Sequence, residues 1–170
     1  MVPVIIAMHT DSEIINITQC VEICIDAAEQ HFSTTFTRPS INFNVRGKAA
    51  GKAYLLLNQI RLNPILFSEN RQAFFQQVIP HETAHIIVFQ KFGKVRPHGK
   101  EWQYVMQEVL QRPALTTHAF DISSVSGKQF LYQCQCRKHL LSIRRHNKIC
   151  KGKAVYHCVS CKQPLQFVGA

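Results

Sequence analysis

Ile79-Pro80-His81-Glu82-Thr83-Ala84-His85-Ile86-Ile87-Val88-Phe89 is the stretch on which the reading of this chain turns. Side chains four apart share one face of a helix, so His81 and His85 can offer ring nitrogens to one Zn²⁺ while Glu82 projects beside them. This H-E-x-x-H spacing suits hydrolysis: zinc makes water acidic and polarises a carbonyl, and a neighbouring carboxylate takes the proton of the attacking water. Pro80 lacks an N–H and clashes with the preceding turn, so it is expected to kink a helix or to begin one just before His81. The apolar residues that follow carry the helix to a stop near Gly93.

A catalytic zinc takes three protein ligands and keeps one position open. His98, 13 residues after His85 and beyond the Gly93 stop, is the first candidate for the third. His118 competes with it, as do Glu101 and Glu108 on the helix that follows.

Working outward, Ile14, Ile17, Val21, Cys24, Ile25, Ala28 and Phe32 recur at three- and four-residue steps, a helix capped by Asp11 or Ser12, with Cys20 and Cys24 as core or near-core residues. Ile41, Phe43 and Val45 alternate as a strand does. Gly47 to Lys52 reads as a basic turn, and Ala53 to Leu57 with Ile60 to Leu62 as one or two strands ended by Asn63 and Pro64. A second helix is expected to begin near Ser68 to Asn70, and a third to bury Trp102, Val105, Met106 and Val109 before Pro113. Residues 114 to 128 read as a linker.

The chain has 170 residues, 46% hydrophobic and 18% charged, with no apolar run long enough to span a bilayer, so a soluble body is expected. Met1 to His9 lacks the cationic lead and the cleavage site of a secretory signal, which points to a cytoplasmic address. Seven cysteines, five of them between Cys134 and Cys161, suggest metal rather than disulfides. The net charge of +10 is unevenly placed: residues 1 to 121 hold 11 basic against 10 acidic side chains, and residues 122 to 170 hold nine basic and none acidic. A segment of one sign faces a polyanion, most naturally nucleic acid.

In that tail Cys158-Val159-Ser160-Cys161 is one half of a zinc knuckle. Spacing alone favours Cys136 and His139 for the other half, since Cys134 and Cys136 are separated by a single residue. Arg137, Lys138, Arg144, Arg145, Lys148, Lys151 and Lys153 lie between the ligand pairs, interleaved with Tyr132, Tyr156 and Phe167, which can stack on exposed bases. With no base-reading motif in view, binding is expected to be sequence-independent and to weaken steeply with salt.

Ile60-Arg61-Leu62-Asn63-Pro64, the run Ile79 to His85, Pro97-His98-Gly99-Lys100-Glu101-Trp102, Tyr132-Gln133-Cys134-Gln135-Cys136, Arg145-His146-Asn147 and Tyr156-His157-Cys158-Val159-Ser160-Cys161 together resemble the SprT family. The resemblance spans residues 10 to 168 and implies an α+β fold. Its first part, residues 10–121, would be a compact zincin-like metallopeptidase domain, ordered as helix, small sheet, HExxH helix and following helix. Its second, residues 128–170, would be a basic zinc ribbon. It further implies His81, His85 and His98 as ligands of a catalytic zinc, Glu82 as general base, and a second, structural zinc in a ribbon that includes both Cys134 and Cys136. These two with Cys158 and Cys161 are the expected ligands, His139 is the substitute that spacing offers for either of the first pair, and Cys150 is expected to be a bystander. By its relation to Spartan-type proteases it implies protein substrates bound or crosslinked to DNA; for want of a long apolar run, no membrane partner is expected. A non-catalytic, zinc-containing regulator that binds nucleic acid is the alternative reading.

Overall fold

A computed structural model describes residues 11–169; the reading of Met1 to His9 lies outside the described residues. The chain has the expected α+β class and divides into two compact units, one ending at Ile122 and the other beginning at Ser123.

The first unit opens with α1 (Asp11–Phe32), which buries Ile17, Val21, Cys24, Ile25 and Ala28. Ile14 departs from the expected stripe and is exposed. Asp11 and Ser12, the expected caps, lie within the first described turn of α1. Arg38, just after the helix, reaches back to Glu22 at 2.9 Å, to Asp26 at 2.7 Å and to Glu29, so the chain leaves α1 folded along its flank.

Three strands follow, β1 (Ser40–Asn42), β2 (Gly51–Tyr54) and β3 (Gln59–Leu62). Their order is β1-β3-β2, with β1 parallel and β2 antiparallel to β3, so β2 is an edge strand. Leu55–Leu57 is a 3₁₀ turn rather than the strand expected there, because the left-handed Asn58 (φ 46°) reverses the chain into β3. Gly51 and Lys52 belong to β2 and not to a turn.

Pro64 begins α2 (Pro64–Glu69) instead of merely ending a strand. A proline in the first helical turn loses nothing by lacking an N–H, and Asn63 supplies the cap through its Oδ1, which accepts from Ile65 N at 3.1 Å and Leu66 N at 3.3 Å. Asn63 is 1% exposed, and its amide also donates to the carbonyls of Gly47 and Ala49, which ties the loop before β2 to the head of α2.

After α3 (Arg71–Ala73), the expected disturbance at Pro80 takes the form of a π-turn, Phe74–Val78, followed directly by α4 (Ile79–Phe92). Ile79 N bonds to Phe74 O, five residues back. The widened turn makes room for the proline ring. It also frees the Phe75 carbonyl, which accepts from the Cys20 thiol at 3.7 Å. Helix α4 buries Ile79, Ala84, Ile86, Ile87 and Val88 and so is apolar around most of its circumference, as a central helix is. It ends at Gly93, whose φ of 75° suits a residue without Cβ. The next helical run, α5 (Lys100–Tyr104) continued by a second π-turn (Val105–Val109), buries Trp102, Val105, Met106 and Val109.

The second unit is a three-stranded antiparallel sheet of β4 (Gln129–Gln133), β5 (Lys138–Ser142) and β6 (Gln166–Gly169), in the order β5-β4-β6, with α6 (Ile143–Cys150) after β5. Its core is small, with Phe130, Tyr132 and Leu141 buried and Ile149, Tyr156 and Leu165 packed beside them. Tyr132 is therefore not free to stack on a base, as its place among the cations had suggested. No described helix is long and apolar enough to cross a membrane.

Candidate metal centre

His81 and His85 occupy one face of α4, and His98 comes from the loop before α5. Their Nε2 atoms lie 3.2 Å apart for His81 and His85, 3.1 Å for His85 and His98, and 3.0 Å for His98 and His81. Nitrogens bound tetrahedrally to zinc at about 2.0–2.1 Å stand about 3.3 Å from one another, so this triangle fits one zinc ion with little movement.

Each imidazole is held by something outside the triangle. The carbonyl of Leu115 accepts from His81 Nδ1 at 3.2 Å, which leaves Nε2 as the nitrogen with a free lone pair. The indole of Trp102 packs against all three rings, with centroids 4.7, 5.5 and 4.8 Å from those of His81, His85 and His98. Its Nε1 donates to the carbonyl of His81 at 3.4 Å. His98 has a φ of 55°, in the left-handed region where a side-chain-bearing residue stores about 1–2 kcal/mol, and Gln103 Nε2 donates to its carbonyl at 3.1 Å. Gly99 follows where a Cβ would stand 2.8 Å from the carbonyl of Arg96, so the loop can close only on a glycine.

Burial, followed by repulsion from His98, lowers the pKa of His81 to about 4. Burial, followed by His81 and His98, lowers that of His85 to about 3. Both rings are thus neutral at pH 7, the form in which a nitrogen can serve as a ligand.

Glu82 is 9% exposed and its pKa is raised to about 7 by burial, against which the N–H of Ala53 and the charge of Lys52 pull it down. Strand β2 can come this close only because residue 51 is glycine: a Cβ there would meet Glu82 Cγ at 2.9 Å, Val78 Cγ1 at 3.0 Å and Glu82 Oε1 at 3.1 Å. The imidazoles and the carboxylate form part of the wall of a cleft of about 690 Å³, closed on one side by β2 and on another by Leu115 to His118.

His118, Glu101 and Glu108, the other third-ligand candidates, do not join the convergent group. His118 lines the same cleft with its ring stacked on Phe120 at 3.8 Å, while Glu108 is exposed. The supports that sequence reasoning did not single out are Gly51, the Ala53 amide, the Leu115 carbonyl and the packing of Trp102. Only the last left a trace in the sequence, as the single tryptophan of the chain, four residues after His98.

In the second unit the Sγ atoms of Cys134, Cys136, Cys158 and Cys161 lie within 4.8 Å of one another, with 3.4 Å between Cys134 and Cys136 and 3.6 Å between Cys136 and Cys158. Thiolates at about 2.3 Å from a tetrahedral zinc are about 3.8 Å apart, so these four fit a structural ion. The backbone N–H of Cys161, assisted by that of Ser160, holds Cys158 down to about 5, as befits a thiolate ligand. His139 stands beside this group with Nε2 3.3 Å from Cys134 Sγ, and Cys150 lies outside it. Arg137, Lys138, Arg144, Arg145, Lys148, Lys151 and Lys153 are all exposed.

The SprT-like family model matches residues 21–121, and the model of the SprT-like zinc ribbon domain matches residues 128–169. Protein SprT of Vibrio parahaemolyticus is 61% identical over 146 residues, covering 86% of this chain and 88% of that protein. Protein SprT of Vibrio atlanticus is 55% identical over the same length and coverage. Protein SprT of Yersinia pestis is 47% identical over 152 residues, 89% of each chain. No solved structure matches the chain. With an HExxH helix whose imidazoles meet a third from the next loop, a four-thiol ribbon, and family matches over both units, this chain belongs to the SprT-like family.

Proposed function

We propose that this chain is a zinc-dependent peptidase whose first unit hydrolyses peptide bonds and whose ribbon holds it on nucleic acid. The observation that carries the reading is the triangle of Nε2 atoms at 3.0–3.2 Å beside a buried carboxylate in an open cleft. His81, His85 and His98 would hold the zinc, which supplies Lewis acidity and makes water acidic near neutral pH. A peptide lying in the cleft along β2 places its carbonyl beside the imidazoles. Glu82 takes the proton of the attacking water on its carboxylate and returns it to the departing amine. Ala53 N–H fixes the carboxylate during both transfers, and burial tunes its basicity toward neutral pH.

The ribbon supports the second half of the reading. Its exposed cations can neutralise phosphates, and Phe167, 52% exposed, is available to stack on a base. Holding the chain on DNA raises the local concentration of proteins bound or crosslinked there, so an unspecific site acts where it is tethered.

The test is to incubate the zinc-loaded protein with an unstructured protein and with a protein crosslinked to duplex DNA, and to sequence new amino termini. Cleavage that a chelator stops, and that is faster on the DNA-linked substrate, is expected. Failure to cut either substrate while one zinc remains on the imidazoles would defeat the peptidase reading.

Gly51→Ala tests the placement of Glu82. The added methyl must push the carboxylate from its position, so hydrolysis is expected to fall by roughly 10²-fold while zinc content and the far-ultraviolet circular dichroism stay as in the parent. Unchanged turnover would show that β2 does not position the base.

A further inference from the structure

Helix α6 carries Cys150 one turn after His146, and the exposed thiol meets the imidazole at 3.4 Å from Sγ to Nε2. The same ring is engaged on its other side. Its Nδ1 lies 3.1 Å from the hydroxyl of the buried Tyr132, and its plane stacks on Phe130 with centroids 3.7 Å apart and only 5° between the planes. Neither Cys150 nor His146 is one of the four convergent thiols of the ribbon or makes contact with them among its bonds. A pair four apart on a helix touches by spacing alone. An imidazole bonded at both nitrogens and clamped against an aromatic face has in addition a fixed orientation toward the sulfur, which is the nucleophile, base and orienter arrangement of reactive thiols. Arg144, Arg145, Lys148 and Lys151, on α6 or just after it, are exposed, and residues 122 to 170 contain no carboxylate side chain.

We propose that Cys150 is a modification site, oxidised by hydroperoxides with the help of His146 and then capped by a small thiol of the glutathione class. His146 Nε2 takes the thiol proton as sulfur attacks one peroxide oxygen. An S–O bond forms and the O–O bond breaks; the sulfur loses two electrons to the peroxide, and the departing oxygen takes the proton from His146 and leaves as water or an alcohol. The small thiol then attacks the Cys150 sulfur, an S–S bond forms, and the oxygen leaves as water with the proton of the incoming thiol. The cap places bulk and carboxylates on the cationic helix, which weakens its hold on phosphates. That consequence rests on the nucleic-acid reading of the ribbon, whereas the reactivity does not.

The experiment treats the full-length, zinc-loaded protein with hydrogen peroxide and glutathione and follows each cysteine by mass spectrometry. Cys150 is expected to be capped about tenfold faster than Cys20, and about tenfold faster in the parent than in His146→Ala, with Tyr132→Phe intermediate and zinc content unchanged. Equal rates at Cys150 in the parent and in His146→Ala overturn the proposal. If His146→Ala releases zinc, the comparison passes to Tyr132→Phe, where a rate equal to the parent's overturns it. Duplex DNA is then titrated with capped and uncapped protein, and about tenfold weaker binding of the capped form is expected. A reactive Cys150 in a protein whose uncapped form ignores DNA sinks the reading of the ribbon and leaves the thiol chemistry standing; equal binding by both forms overturns the regulatory role.

Discussion

Glu82→Gln is expected to keep its full complement of zinc and its DNA affinity while peptide hydrolysis falls by about 10²–10⁴-fold, the share that a positioned general base contributes. The substitution preserves shape, and the amide oxygen can still accept from the N–H of Ala53. What it removes is a site for the proton of the attacking water. The three imidazoles are untouched, so elemental analysis should return the parent's zinc content. Because a buried carboxylate carries a desolvation penalty that the neutral amide avoids, the thermal midpoint should not fall. Loss of activity without loss of metal or stability therefore isolates chemistry from folding. A variant as active as its parent would assign Glu82 a structural part and favour a zinc-containing regulator that only binds nucleic acid.

Cys158→Ser is expected to unfold the ribbon and leave the first unit intact. The second unit buries only Phe130, Tyr132 and Leu141 as an apolar cluster, far less than 47 described residues need to order themselves. Structural zinc contributes about 10–16 kcal/mol in small domains of this kind, so the ion rather than the core decides whether the fold forms. Cys158 is the thiol most stabilised as a thiolate by backbone N–H groups and is 1% exposed, which makes it the costliest ligand to lose. Amide NMR should show the resonances of residues 123–169 collapsing toward random-coil positions while those of α1 and α4 persist, and zinc should fall from two ions per chain to one. DNA affinity, together with its steep dependence on salt, should disappear with the ribbon. A folded ribbon in this variant would transfer the stabilising role to the apolar cluster.

Local patterns in the sequence were legible where one short-range rule sufficed. The 3.6-residue period placed Ile17, Val21, Ile25 and Ala28 on the buried face of α1, and the run Trp102 to Val109 on that of α5 and its π-turn. Reading failed where two rules competed. The strand Gln59–Leu62 ends before Asn63 and Pro64 as expected, but the same two residues also start α2, because Asn63 is a helix cap and proline is at home in a first turn. Leu55 to Leu57 have the composition of a strand, but the left-handed Asn58 makes them a 3₁₀ turn. Tyr132 sits among cations in the sequence and in the core of the ribbon in space, because alternation along β4 sends it inward with Phe130.

By itself the sequence determined that His81 and His85 share a helix face, that Glu82 stands next to them, and that the tail is cationic and thiol-rich. These properties follow from spacing along one element or from composition, and no distant residue can change them. Only the tertiary structure decided that the His98 nitrogen comes within 3.1 Å of His85, that Glu82 is buried beneath Gly51, that the Leu115 carbonyl orients His81, and that Cys134 and Cys136 meet Cys158 and Cys161. Each of those depends on where separate elements pack, which is set by the volume and shape of the residues between them and leaves no periodic mark in the chain.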